Sequence, residues 1–399
     1  MIFNTNISKI KIFFQMRPIM LVSKILCRLH FLKLKLFGRL PKLITITGSI
    51  GKSSLLNMTH VLLKDKYRCK KIKYNGNEFI PLDILNVNIR DGFIKKMISC
   101  IYTILFDFTK YDYLLIEVGI SEKNDIDKHI ELYTSYISCF TELDYVHTEA
   151  LENLDGICYE KSKLVNNSKY KLIKNNDIIK KYVKDENRII INDQKENIYC
   201  EQTINNFLLN YTYNNTEYNI CIPNIKKNQF IPKSYISLIF FSIEIGNILN
   251  LGKKEIEFYL SNYEMPESRS SLFITANNNI VLDGTYNSSF KSIIEIINSG
   301  KILNKKLNKK CIIILSDIRE MNPIFMNYYD EINKLINNMS NIEKIILIGK
   351  IVKEYISYKN IEYYESTNDF INSNISFQNK LIIIKGSNYF RLKNIIKYL

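Results

Sequence analysis

The stretch from Leu43 to Ser54, LITITGSIGKSS, constrains this chain more than any other. Its first half is an apolar, β-branched run of the kind that forms a buried strand, and it ends at Gly48. Its second half, Lys52-Ser53-Ser54, opens a helical pattern carried by Leu55, Leu56, Met58, Val61 and Leu62. A glycine-bearing turn between a buried strand and a helix start has a definite chemistry. Backbone N–H groups turn onto phosphate oxygens, the helix N-terminus adds partial positive charge, Lys52 can reach terminal phosphates, and Ser53 offers a hydroxyl to magnesium. Gly48, Ser49, Gly51, Lys52, Ser53 and Ser54 are therefore the candidate nucleotide-binding set. The usual phosphate-loop spacing has one more glycine, where this chain has Ile46, so the motif rests on Gly48, Gly51, Lys52 and Ser53.

A chain of 399 residues can hold two or three domains with proper cores. Its formal net charge of +15 favours anionic partners: nucleotides, phosphorylated sugars, nucleic acid or an anionic membrane face. Lysine is interleaved with asparagine and isoleucine throughout, and no basic-aromatic pattern of the single-strand-binding kind occurs, so no nucleic-acid partner is expected. The 8 cysteines stand singly without Cys-x-x-Cys spacing, which argues against a zinc site or disulfide framework and fits a reducing cytoplasm. Residues 1–41 form a basic, amphipathic segment with no apolar run long enough to span a bilayer. Two readings stand for it: a helix lying peripherally on an anionic membrane, or a helix packed on the domain that follows.

Further along, the apolar run 113–116 delivers Glu117 and Gly119 at its end, where parallel sheets bind ligands and a carboxylate can hold magnesium. A second run, 135–140, leads through Thr141, Glu142 and Asp144 to His147, and a helical pattern then carries Lys161. Residues 171–230 read as short strands and polar turns, and 235–251, apolar almost all round, as a buried helix. Met265-Pro266-Glu267-Ser268-Arg269 marks a domain boundary. Beyond it, runs at 280–282, 311–315, 345–348 and 381–384 alternate with helical patterns. The expected architecture is α/β: a central phosphate-loop domain over 42–265, then a smaller Rossmann-like α/β domain over 266–399.

In their order these segments resemble the Mur ligase family of ATP-dependent enzymes. The resemblance covers 43–399 and rests on 47–54, 75–81, Glu117-Val118-Gly119, 141–147 with Lys161, and Arg269 with Asp283-Gly284-Thr285-Tyr286-Asn287. Leu315-Ser316-Asp317-Ile318-Arg319-Glu320-Met321 and Lys385-Gly386-Ser387 add two more. It implies ATP and Mg2+ as cofactors, and an amide ligase that joins an amino acid or dipeptide to a carboxylate through an acyl phosphate. The carboxylate would be carried by a UDP-linked muramoyl peptide. By the same resemblance Lys52 would stabilise the transferring phosphoryl group, Ser53 and Glu117 would hold one magnesium and His147 a second. Lys161 falls where the family carries a carbamylated lysine, a further metal ligand. Arg269 would contact the γ-phosphate, and Asp283 and Asn287 the nucleotide. The chain departs from the family in four places: Gly284 replaces a second aspartate, Ser234-Tyr235 a His-Asn pair, Lys163 an acid and Asn388 an arginine. The residues before the phosphate loop are too few to match the family's amino-terminal UDP-binding domain. The competing expectation is a nucleotide-binding regulator that has lost ligation, against which the joint presence of Glu117, His147 and Lys161 weighs.

Overall fold

The run that leads into the phosphate loop forms β1 (Lys42–Thr47), five of whose six residues are buried. The structure, a computed structural model, describes residues 22–76, 79–120, 122–145, 151–193, 198–213, 216–318 and 323–399. Among these, β2 (Cys69–Lys71), β3 (Tyr113–Glu117), β4 (Ser135–Phe140), β5 (Ser168–Lys174) and β6 (Arg188–Ile191) join β1 in one sheet, ordered β2-β3-β1-β4-β5-β6. The pairings β2–β3, β3–β1, β1–β4 and β4–β5 are parallel. Parallel strands covered on both faces need no polar side, which is why β1 and β3 read as continuous apolar runs rather than alternating ones. The chain runs to opposite sides of β1 for β3 and β4, and ligand sites of open α/β sheets lie at the carboxyl ends beside such a reversal. Ile46 is in register with Glu117, so the end of β3 lies next to the last residues of β1.

The described residues divide into two compact units. The first takes in the chain up to Gly48, Leu63–Thr141 and Cys158–Ile190; the second comprises Ser49–Leu62, Glu142–Ile157 and Ile191–Leu399. In the second, β7 (Ile198–Gln202), β8 (Asn206–Tyr213) and β9 (Thr216–Pro223) form an antiparallel meander whose last strand alternates buried and exposed positions. Its Tyr211 ring stacks on Phe240, centroids 3.9 Å apart, from the helix Tyr235–Ile248. That helix is buried around nearly its whole circumference, as its composition predicts.

The remaining strands of this unit are β10 (Ser271–Ile274), β11 (Ile280–Gly284), β12 (Cys311–Ser316), β13 (Ile342–Ile348), β14 (Ile361–Tyr364) and β15 (Leu381–Lys385), ordered β10-β11-β15-β12-β13-β14. All pair in parallel except the edge strand β10, which is antiparallel to β11. The two-residue period of the strand sorts their side chains into two cores. Ile313, Leu315, Ile345 and Ile383 lie in one, Ile312, Ile314, Ile346 and Ile384 in the other. Both faces are thus covered, and the sheet matches the mostly parallel second unit read from the sequence.

Two histidines of the first unit are core residues. His129 is buried, with Nδ1 3.0 Å from Tyr133 Oη and Nε2 without a partner among the described residues, and burial pushes its pKa from 6.5 to about 4. His30 is lowered to about 4 by the same cause, with Lys33 adding to it. A base whose folded pKa lies below its unfolded value binds fewer protons when folded, so stability is full above pH 6.5 and falls as the pH drops toward 4. A shift of this size at His129 corresponds to roughly 3 kcal/mol. Urea unfolding at pH 7 and pH 4.5 should show that loss, and His129→Gln should flatten the slope over this window; an unchanged slope in the variant would place the acid sensitivity elsewhere.

Candidate active site

The phosphate loop takes its shape from two glycines. Gly48 has φ of +140° and Gly51 of +85°, backbone that side-chain-bearing residues rarely adopt. At Gly51 an added Cβ would also lie 2.9 Å from Leu238 Cδ2. Within the first unit, Thr47 Oγ1 donates to the Val118 carbonyl (3.1 Å) and Val118 N to the Ile46 carbonyl (2.9 Å), which ties the end of β1 to the end of β3. Glu117 is buried there, and Asn75 Nδ2 donates to its Oε1 at 3.3 Å. The Asn75 carbonyl accepts from Gly119 N, and it stands only 3.3 Å from where a Cβ on Gly119 would be. Three sequence-predicted segments therefore meet in this unit: the loop start, Asn75 and Glu117-Val118-Gly119.

Lys161 belongs to the same unit, on the helix Leu154–Asn166. It is 1% exposed, and its Nζ donates to the Gly48 carbonyl at 2.8 Å. Lys163, two residues on, faces elsewhere and pairs with Asp127 and Glu160, both at 2.9 Å. His147 lies outside the described residues, as do Asn77 and Glu78 of the 75–81 segment and Arg319, Glu320 and Met321. Asp317 is buried, and its Oδ1 accepts from Val352 N at 2.8 Å.

In the second unit the helix Lys52–Leu63 begins at the loop lysine, whose Nζ reaches the Ser49 carbonyl at 3.3 Å. Ser49 N donates to the Glu142 carbonyl (2.7 Å) and Ser49 Oγ to that of Asp144 (3.1 Å). Arg269 Nη2 donates to Ser53 Oγ at 2.7 Å, and its guanidinium lies over the Tyr286 ring, 3.8 Å from the centroid. Its Nε is buried without a partner among the described residues. The flanking Ser268 and Ser270 both hold positive φ, +58° and +70°, a strain that tends to collect at functional sites. An arginine fixed this way, with one donor unspent in the interior, fits an anionic ligand such as a phosphate.

Asp283 and Asn287 stand at the carboxyl end of β11, where Asp283 Oδ1 accepts from Thr285 N at 2.8 Å. Lys385 holds this turn through the carbonyls of Asn287 (2.6 Å) and Gly284 (3.2 Å), and burial lowers its pKa to about 8. For magnesium, the Ser53 hydroxyl and the Glu117 carboxylate are hard oxygen donors of the type it takes. Among the described residues no three His, Cys, Asp or Glu side chains gather into a metal cluster.

Some of the machinery was invisible in the sequence. Tyr235, standing where the family has its His-Asn pair, bonds Ser54 through its hydroxyl, buried at 2.7 Å. Asp144 is buried, raised in pKa chiefly by that burial, and accepts from Lys291 N near the start of the helix Phe290–Leu307. Lys291 Nζ in turn meets Glu142 Oε1 (2.9 Å) and the Leu143 carbonyl (2.8 Å). The only hint of either was an acid or a tyrosine inside a motif segment. Their partners lie more than 140 residues away, beyond the reach of spacing arguments.

Comparison with known proteins bears on the fold and the family. The profile of the Mur ligase middle domain matches residues 46–234, the stretch from β1 to the start of the buried helix. The UDP-N-acetylmuramoyl-tripeptide--D-alanyl-D-alanine ligase of Borreliella burgdorferi is 26% identical over 375 residues, covering 89% of this chain and 74% of that relative. Residues 46–234 are a Mur ligase middle domain. Its fold is that of the MurF ligase from Thermotoga maritima solved in complex with ADP: TM-score 0.74, 14% identity, 94% of this chain and 83% of that one. An FPGS–AMPPCP–folate complex is similar over 90% of each chain, with a TM-score of 0.62 and 14% identity. The chain is an ATP-dependent ligase that joins an amine to a carboxylate.

Proposed function

We propose that the carboxylate is that of a UDP-linked muramoyl tripeptide, that the amine is the D-alanyl-D-alanine dipeptide, and that the reaction runs in the cytoplasm. The name of the Borreliella burgdorferi relative supports the substrates, and the absence of any pairing among the 8 cysteines supports the compartment. The central domain is 42–265 and the second 266–399.

The carboxylate oxygen attacks the γ-phosphorus of ATP. An O–P bond forms, the bond to the β-phosphate oxygen breaks, and ADP leaves. The amine nitrogen then attacks the acyl carbon, gives up a proton, and expels inorganic phosphate as the C–N bond is completed. Lys52 and Arg269 stabilise charge on the transferring phosphoryl group. Gly48, Ser49, Gly51 and Ser54 shape the loop around the phosphates, and Asp283 and Asn287 bind the nucleotide. Ser53 and Glu117 would hold one magnesium, and His147 with a carbamylated Lys161 would hold a second. Magnesium, when bound, neutralises charge on the phosphate oxygens.

The observation that carries the reading is Arg269: it bonds the loop serine and keeps a buried Nε without a partner among the described residues. That donor is suited to a terminal phosphate at the loop, and the joint presence of Glu117, His147 and Lys161 weighs for ligation over a binding role alone. The test is phosphate release from ATP with magnesium and UDP-muramoyl tripeptide, with and without D-alanyl-D-alanine. Release that depends on the dipeptide is expected. Absence of amine-dependent release with this pair and with glutamate-type acceptors would sink the ligase reading.

A further inference from the structure

The helix Phe93–Phe106 is packed inside out. Its buried positions are Lys96, Cys100 and Thr103, whereas Ile94, Ile98, Ile101, Tyr102 and Leu105 are exposed, Ile94 to 74%. Those exposed positions follow the i, i+4, i+7, i+8, i+11 spacing by which a helix normally faces a core. The helix at 22–36 repeats the arrangement. One face, with Ser23, Cys27, His30 and Leu34, is buried, while Ile25, Leu29, Leu32 and Leu36 form an exposed stripe, Leu36 to 84%. At 100° per residue, Lys24, Arg28 and Lys35 fall along one edge of that stripe.

The two helices are neighbours within the first unit. Lys33 Nζ donates to the carbonyls of Thr103 (3.0 Å) and Asp107 (2.6 Å), and the rings of Phe37 and Phe108 meet edge to face at 5.1 Å. More than half of the large apolar side chains left exposed among the described residues lie on these two helices and the turn at 37–40. Clusters of this kind on a protein surface mark an interaction site.

Charge selects the occupant. Residues 22–42 hold 6 lysines and arginines, and residues 1–64 contain no aspartate or glutamate. Arg28 leans on Glu131 in a solvent-exposed pair, which salt and competing anions displace readily, and Lys95, itself exposed, pairs with the half-buried Asp91. Apolar helix faces edged by cations are the form of an interfacial helix, which sinks its aliphatic side chains to the acyl boundary and leaves its cations at anionic headgroups. Residues 1–21, which are also basic and carry no acid, would add like charge if they covered this surface instead. No helix among the described residues is long and apolar enough to cross a membrane, so the contact lies on the surface.

We propose that the helices at 22–36 and Phe93–Phe106 together form a docking surface for an anionic lipid bilayer. Of the two readings of the amino-terminal segment, each describes one face of the same helix. The inner face packs on protein, and the outer face meets lipid alongside a second helix that the sequence reading did not include. The surface uses none of the proposed ATP-site residues, and its test needs no substrate, so its failure and that of the ligase reading are distinguishable.

The chain contains no tryptophan, so Ile98→Trp makes a sole reporter at an exposed position. Its emission should be that of a water-exposed indole in buffer. It should move to shorter wavelength on adding phosphatidylglycerol-containing vesicles, and far less with phosphatidylcholine alone. Leu29→Glu with Leu32→Glu, on the other helix, should weaken vesicle binding by about ten-fold or more, since burying one aliphatic side chain is worth a factor of that order. Flotation of the unmodified chain with the two vesicle types gives the same comparison without any substitution. Four results would each overturn the proposal: no shift with either vesicle; undiminished binding in the glutamate variant; buried-type emission already present in buffer from a monomer, which assigns the face to residues 1–21; or a concentration-dependent shift with doubled mass by light scattering, which assigns it to a second copy.

Discussion

Lys52→Ala is expected to lower amine-dependent phosphate release by about three orders of magnitude, because positioning and charge stabilisation supply most of the acceleration in phosphoryl transfer. The lysine stands first in the helix Lys52–Leu63, and its contact with the Ser49 carbonyl is long, 3.3 Å. Urea unfolding of the variant, run beside the assay, separates a loss of rate from a loss of structure. Lys52→Arg keeps the charge but replaces a compact ammonium with a wider planar fork, and should recover only a small part of the rate. Release within ten-fold of the unmodified enzyme in Lys52→Ala, measured at saturating ATP, would remove the lysine from the phosphoryl-transfer step.

What the sequence disclosed and what it hid differ by range. β1, β3, β12 and β15 are legible because each is a short apolar run buried on every side, a property each residue carries by itself. The all-apolar helix Tyr235–Ile248 is legible for the same reason. The phosphate loop could be read because its glycines and lysine are adjacent in the chain. Arg269 is different: its partner Ser53 is 216 positions away, and only the order of motifs, not any spacing, suggested that they belong to one site. Nothing local foretold that Tyr235 would bond Ser54 or that Asp144 would meet Lys291. The helix Phe93–Phe106 shows where periodicity stops: Ile94, Ile98 and Ile101 share one face by their spacing, and the structure leaves that face exposed. Periodicity tells which residues share a face and is silent on what that face meets.

Lys161→Ala should lose about two to three orders of magnitude in rate, and a small carboxylate such as acetate or formate should restore part of it. The side chain is enclosed, and its nitrogen donates to the carbonyl of Gly48, the first residue of the loop. Carbamylation changes what this nitrogen carries without abolishing that contact. The amine takes up carbon dioxide and releases a proton, which leaves one N–H to donate and adds a carboxylate to bind metal. Alanine removes both functions, and a free carboxylate can return only the second. Rescue should therefore be partial, and should appear in kcat rather than in ATP affinity. Loss of the bond to the Gly48 carbonyl and the vacated volume should also cost about 2–4 kcal/mol of stability, read from urea unfolding with and without acetate. Lys161→Arg keeps a donor for Gly48 but cannot form the carbamate. If Lys161→Arg were fully active, or if acetate left Lys161→Ala unchanged at every concentration, Lys161 would be a loop-positioning donor and the second metal would need a different ligand.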